Sequence, residues 1–325
     1  MKSSLRALLT NAIDYAGLFP PAKLPMEPAI RNYAAYRQCD DAWMLGPFVV
    51  PAAQLNEVSR FADDLFNVSP PFRFSVLMGG GDDDHEFEGK LAADVALASE
   101  FVRRHGQSVL VDAVELRLPE RLSKDAPQSG LEAGGRLDRS LRTAIEAFPR
   151  AAWFCEIPPG AAWDAALAPV TAWLARTRDA STRCGFKLRT GGLTPDAFPS
   201  SDRIARALLA CRENGLAIKF TAGLHHPIRA LRAEVRTHMH GFINVFVAGV
   251  LAHAFAVDPL RVEELVAVLE SENPRDFEFQ EETLAFRHQS AALADIRDIR
   301  ARDVISFGSC SFDEPRDDLR ALEWL

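Results

Sequence analysis

Two lysines sit midway along short apolar runs, Lys187 in CGFKLRTGG and Lys219 in LAIKFTAG. Each run closes on a glycine turn, Gly191 and Gly192 after the first and Gly223 after the second. Successive side chains of a strand point to opposite faces. Phe186 and Leu188 then share one face and Lys187 and Arg189 the other, while Ile218 and Phe220 oppose Lys219. The same alternation in SVLVDAVELRLPE and RAAWFCEIPPG sets Glu115, Arg117 and Glu156 opposite their apolar neighbours. Four positive and two negative groups thus face inward from four consecutive strands. Unpaired charge is costly to bury, so these residues are expected to line a functional pocket, with a satisfied ion-pair network as the alternative.

The positive excess suits an anionic ligand, a carboxylate or a phosphate ester. Arg117 and Arg189 would offer it bidentate forks; pairing with Glu115 and Glu156 is the competing arrangement. A neighbouring cation and desolvation both lower an ammonium pKa. A lysine that is partly neutral near pH 7 attacks a carbonyl and forms an imine, and Glu156 or Glu115 would shuttle the protons.

Holding these groups in register requires a regular scaffold. Strand-like runs are expected over residues 13–21, 42–51, 72–81, 108–120, 150–160, 184–192, 216–223 and 304–310. Helical patterns fall over 1–12, 26–38, 52–66, 89–106, 135–148, 161–178 and 202–215. Strands alternating with helices predict a parallel sheet with helical crossovers. Eight such strands predict an eightfold parallel β/α (TIM) barrel, whose strand C-termini carry the chemistry. An open doubly wound sheet is the alternative, but no GxGxxG run follows the first strand. Residues 227–303 exceed one crossover and are expected to form a helical insertion between strands seven and eight, with helices over 240–256 and 259–271 and one or two more over 277–301. The acidic run 82–86 and the polar stretch 121–134 are expected loops. One domain over 1–325 is expected.

The chain has 325 residues, 48% of them hydrophobic and 25% charged, with a net charge of −8. That balance argues against a nucleic-acid partner, and no apolar run is long enough for a membrane span. The N-terminus is expected to be mature protein. Cys39, Cys155, Cys184, Cys211 and Cys310 are odd in number, dispersed and free of CxxC pairing, which suits reduced thiols and a cytoplasmic location. Cys310 is expected to be a small buried hydrophobe.

Residues 108–226 and 304–311 resemble the class I aldolases of the deoxyribose-phosphate aldolase type. KLRTGG is similar to the family's strand-six KTSTG-like run, which implies that Lys187 forms the imine. KFTAG is similar to its strand-seven KxSGG-like run, which implies that Lys219 lowers the pKa of that amine. Glu156 matches a glutamate ending strand five. GSCS is similar to a phosphate loop after strand eight, implying that Gly308, Ser309 and Ser311 hold phosphate. The sequence departs from the family in lacking its strand-four aspartate, with Glu115 nearest, in Arg189 beside the lysine, and in the insertion.

Histidines supply a second signal. His225 and His226 follow strand seven, and His238 and His240 come soon after. The four could hold a divalent metal, with Glu115 or Asp14 beside them, or His225 or His240 could act as acid or base. Asn244, one turn past His240, is a cap or a donor to a substrate oxygen. The favoured reading is a lyase acting on a small anionic carbonyl compound through Lys187, with no cofactor required. A metal-dependent hydrolase or isomerase, a phosphoribosyltransferase-type barrel and a non-catalytic anion binder are the rivals. A homo-oligomer is compatible with all of them.

Overall fold

A computed structural model describes residues 1–66, 69–124, 131–178, 183–255 and 260–325. Eight parallel strands form a closed barrel: β1 (Ile13–Tyr15), β2 (Leu45–Pro51), β3 (Phe72–Gly79), β4 (Val109–Arg117), β5 (Ala152–Glu156), β6 (Arg183–Arg189), β7 (Ala217–Thr221) and β8 (Val304–Ser309). They follow chain order around the barrel, with β8 beside both β7 and β1. The eightfold barrel expected from the alternating pattern is the architecture found. The strands are shorter than the apolar runs, because those runs continue into Pro- and Gly-bearing turns.

Backbone contacts gather the chain into two compact units. One comprises Met1–Ala22, Cys39–Gly46 and Leu188–Leu325, the other Lys23–Gln38 and Pro47–Lys187. In the second, the core under β2 to β4 is aromatic: Phe66, Phe72, Phe74 and Phe101 pack with ring centroids 5.1–6.4 Å apart. Helix Asp84–His105 covers it. Its N-cap is Asp83, whose carboxylate accepts from the His85 and Glu86 amides at 2.9 Å each. Gly106 ends it at φ +54°. Residues 84–86 of the expected acidic loop are therefore the first turn of this helix, where negative charge offsets the helix dipole. Arg121–Lys124 is a helical turn within the stretch expected to be loop; residues 125–130 lie outside the described residues.

In the first unit the insertion departs from an all-helical reading. Helices Phe242–Ala254 and Val262–Leu269 match two of those expected, although the expected start of the second, at residue 259, lies outside the described residues. Residues Phe277–Phe279, Thr283–Phe286 and Gln289–Ala292 instead form a three-stranded antiparallel sheet, and only Leu293–Arg302 is helical. The deciding signal is the period-two pattern of Phe277 and Phe279 against Leu284 and Phe286; the Phe277 and Phe286 rings meet at 5.2 Å. A hairpin, Ala230–Arg232 with Thr237–Met239, follows β7. Arg300, almost fully buried, ties this unit together by donating to the carbonyls of Leu8, Thr10, Val304 and Ile305 while stacking on Phe246.

Candidate functional site

Four of the six inward charges gather in two buried clusters, one in each unit. In the unit carrying β3 to β5, parallel register places Glu156 opposite Lys187. The Lys187 ammonium lies 2.8 Å from Glu115 Oε2 and 2.8 Å from Glu156 Oε2. Ser75 Oγ donates to Glu115 Oε1 at 2.8 Å. All four side chains are buried, Lys187 at 4% exposure. Burial alone would lower the Lys187 pKa, but the charge and hydrogen bonds of the two carboxylates outweigh it and raise the value above that of ordinary lysine. The resting amine is thus an ammonium, contrary to the partly neutral lysine that crowding by cations implied.

The second cluster is built on β1, β7 and β8. Lys219 Nζ donates to Asp14 Oδ2 at 2.6 Å, and Ser306 Oγ donates to the same oxygen at 2.7 Å. Lys219 and Asp14 are each 1% exposed. Gly46 makes room for the carboxylate, because a Cβ there would stand 2.1 Å from Asp14 Oδ1. The sequence offers Asp14 only as a neighbour of a histidine-bound metal and does not single out Ser75 or Ser306. Their signal was present in the alternation: each occupies a strand position facing the same way as a buried charge.

Arg117 does not join the Lys187 cluster. It is the last residue of β4, half-exposed, and pairs with Glu120 one turn on. Its long stem carries the guanidinium to solvent. Arg189 ends β6 and is partly buried. The glycine turns after β6 and β7 pack against each other: a Cβ on Gly223, at φ +74°, would stand 2.7 Å from the Gly191 Cα, and one on Gly192 2.6 Å from the Ala197 Cβ. Thr190 Oγ1 locks this contact by donating to the Ala222 carbonyl at 2.6 Å.

Past β8, Ser309 Oγ donates to the Ser311 carbonyl at 2.6 Å, and Ser311 Oγ accepts from the Glu314 amide at 3.1 Å. Gly308 pairs with Asp14 and Thr221 in the strand ladder. These serines thus shape the turn into helix Asp313–Ala321, whose first turn holds Asp313 and Glu314.

The histidines diverge. His225 Nδ1 lies 3.2 Å from Glu314 Oε2 and 3.9 Å from Cys310 Sγ. Burial works against its charged form, yet the contacts with Cys310 and Glu314 raise its pKa to about 9. His226 Nδ1 lies 2.6 Å from Asp318 Oδ2, and His238 Nε2 3.1 Å from Glu272 Oε1. His240 turns to the Pro199 carbonyl at 2.7 Å. Each imidazole thus has its own partner, and among the described residues no group of three or more His, Cys, Asp or Glu side chains is arranged to hold a metal ion. Asn244 is fully buried: it accepts from the Arg229 amide at 3.0 Å and donates to the Val268 and Ser271 carbonyls at 2.8 Å each. That makes it a brace of the insertion. No helix among the described residues is long and apolar enough to cross a membrane. No family model matches the chain, and no curated protein matches it.

Proposed function

We propose that the protein is an enzyme of the class I aldolase kind, a lyase that joins Lys187 as an imine to a small anionic carbonyl compound. The observation that carries this reading is the Lys187 ammonium held 2.8 Å from each of two buried carboxylates. A buried ion triad stabilises a fold less than apolar packing of the same volume, so structure alone gives little reason to keep it. Chemistry gives one. Glu156 takes a proton from the ammonium, and the freed amine forms a bond to the carbonyl carbon. A nitrogen proton passes to the former carbonyl oxygen through Glu115, and the resulting hydroxyl leaves as water with the proton returned by Glu156, which gives the protonated imine.

An imine acidifies the neighbouring C–H, so the protein should exchange the methyl protons of pyruvate with deuterium from solvent, followed by NMR. Lys187→Met is expected to abolish the exchange; undiminished exchange in that variant would refute the assignment. A second reading, in which the triad only stiffens a non-catalytic anion-binding barrel, is favoured by the raised Lys187 pKa. It predicts no exchange with any carbonyl probe.

A further inference from the structure

His240 is 4% exposed, and its two ring nitrogens have unlike surroundings. Nε2 lies 2.7 Å from the Pro199 carbonyl, which can only accept, so Nε2 carries the hydrogen. Nδ1 is buried and has no hydrogen-bond partner among the described residues. Burial, together with the nearby Arg229 charge, holds the His240 pKa below its ordinary value. The ring is therefore neutral at pH 7, and Nδ1 is a fixed lone pair awaiting a donor. An unmet buried acceptor is destabilising, which gives it the character of a site.

Arg229 supplies the complementary group. The hairpin ladder pairs Ala230 with Met239, so Arg229 and His240 are the next facing positions at its base. Arg229 Nε is buried without a partner among the described residues, while Nη1 is anchored on Glu272. The base itself is fixed: the Phe242 and Ile243 amides donate to the His226 and Pro227 carbonyls at 2.9 and 3.0 Å, and the Arg229 amide to Asn244. A fixed acceptor and, at the facing position of the ladder, a guanidinium N–H unused among the described residues complement a molecule with a hydroxyl and an anionic oxygen.

We infer that Arg229 and His240 form a binding site for a small 2-hydroxy carboxylate, Arg229 taking the carboxylate and His240 Nδ1 accepting the hydroxyl hydrogen. The site draws only on residues after β6 and does not depend on imine formation at Lys187.

Lactate and propionate, which differ by that hydroxyl, are the probes, and calorimetry reads their affinities. The wild-type protein should bind lactate about tenfold more tightly than propionate, the worth of one hydrogen bond to a buried acceptor. In His240→Gln the amide nitrogen still reaches the Pro199 carbonyl but the Nδ1 acceptor is gone. This variant should keep its melting temperature and bind both acids equally. Arg229→Gln should weaken both acids by about tenfold or more, since it removes a charge-assisted bond common to the two. Nitrogen NMR of the imidazole should find Nδ1 unprotonated at pH 7 and shifted by lactate. Equal affinity for the two acids, binding of neither (a buried water only), a preference that survives in His240→Gln, or a protonated Nδ1 would each overturn the site.

Discussion

Replacing Asp14 by Ala tests whether the second cluster is a coupled unit. The substitution removes an acceptor shared by Lys219 Nζ and Ser306 Oγ, at 2.6 and 2.7 Å. Lys219 is 1% exposed, so its ammonium loses its carboxylate where water does not replace it. Breaking a buried pair from one side costs about 3–5 kcal/mol, and the stranded Ser306 hydroxyl adds about 1 kcal/mol. The sum is a large part of the roughly 5–15 kcal/mol by which a domain is stable. Lys219→Met should cost less than Asp14→Ala, because the carboxyl it leaves behind keeps Ser306 as a donor and can take up a proton. The double variant Asp14→Ala with Lys219→Met removes both charges together, and should be more stable than Asp14→Ala alone. Urea unfolding of the four proteins, read from midpoints at constant slope, gives the coupling energy, expected at about 2–3 kcal/mol. Losses that add to within about 0.5 kcal/mol would show that the two side chains do not act as a pair.

Two further outcomes follow from individual contacts. Asn244→Ala strands the Arg229 amide and takes a donor from each of the Val268 and Ser271 carbonyls inside the insertion, and should lower stability by about 2–4 kcal/mol, seen as a lower melting temperature; an unchanged value would remove Asn244 as the brace. The His225 pair with Glu314 carries a pH signature. Its pKa in the fold, about 9, lies above the ordinary 6.5, so its stabilisation is full below the lower value and lost as pH rises through the upper one. The stability gap between wild type and His225→Gln should therefore be wide in mildly acidic buffer and close in alkaline buffer; a gap that widens with pH would contradict the assignment.

Much of the barrel was legible because β4 to β7 each carried two independent signals, an alternation with one charged face and a turn that stopped it. Lys187, Glu115 and Glu156 came from that alternation, since residues on neighbouring parallel strands that face alike must meet. Arg117 obeyed the same rule on paper, but it ends its strand and has a stem long enough to reach water. Asp14 with Lys219 was harder, being 205 residues apart and joined only when β8 enters between β1 and β7. Its three-residue strand gave almost no pattern to read. Residues 277–292 were misread because a few apolar positions fit either period, and hydrogen bonding between segments chose the sheet. The acidic run looked like loop because Asp83, as a cap, has the composition of one. The sign of the Lys187 pKa shift lay beyond the sequence, since it turns on whether cations or carboxylates stand nearer the amine.

Borohydride trapping tests the imine most directly. Protein reduced in the presence of pyruvate, digested and mapped by mass spectrometry should carry the added carbon skeleton on Lys187. Because the folded amine is held as an ammonium, the extent of trapping should climb as pH rises above neutrality. Modification that falls on other lysines, or persists at the same level in Lys187→Arg, would contradict the central claim.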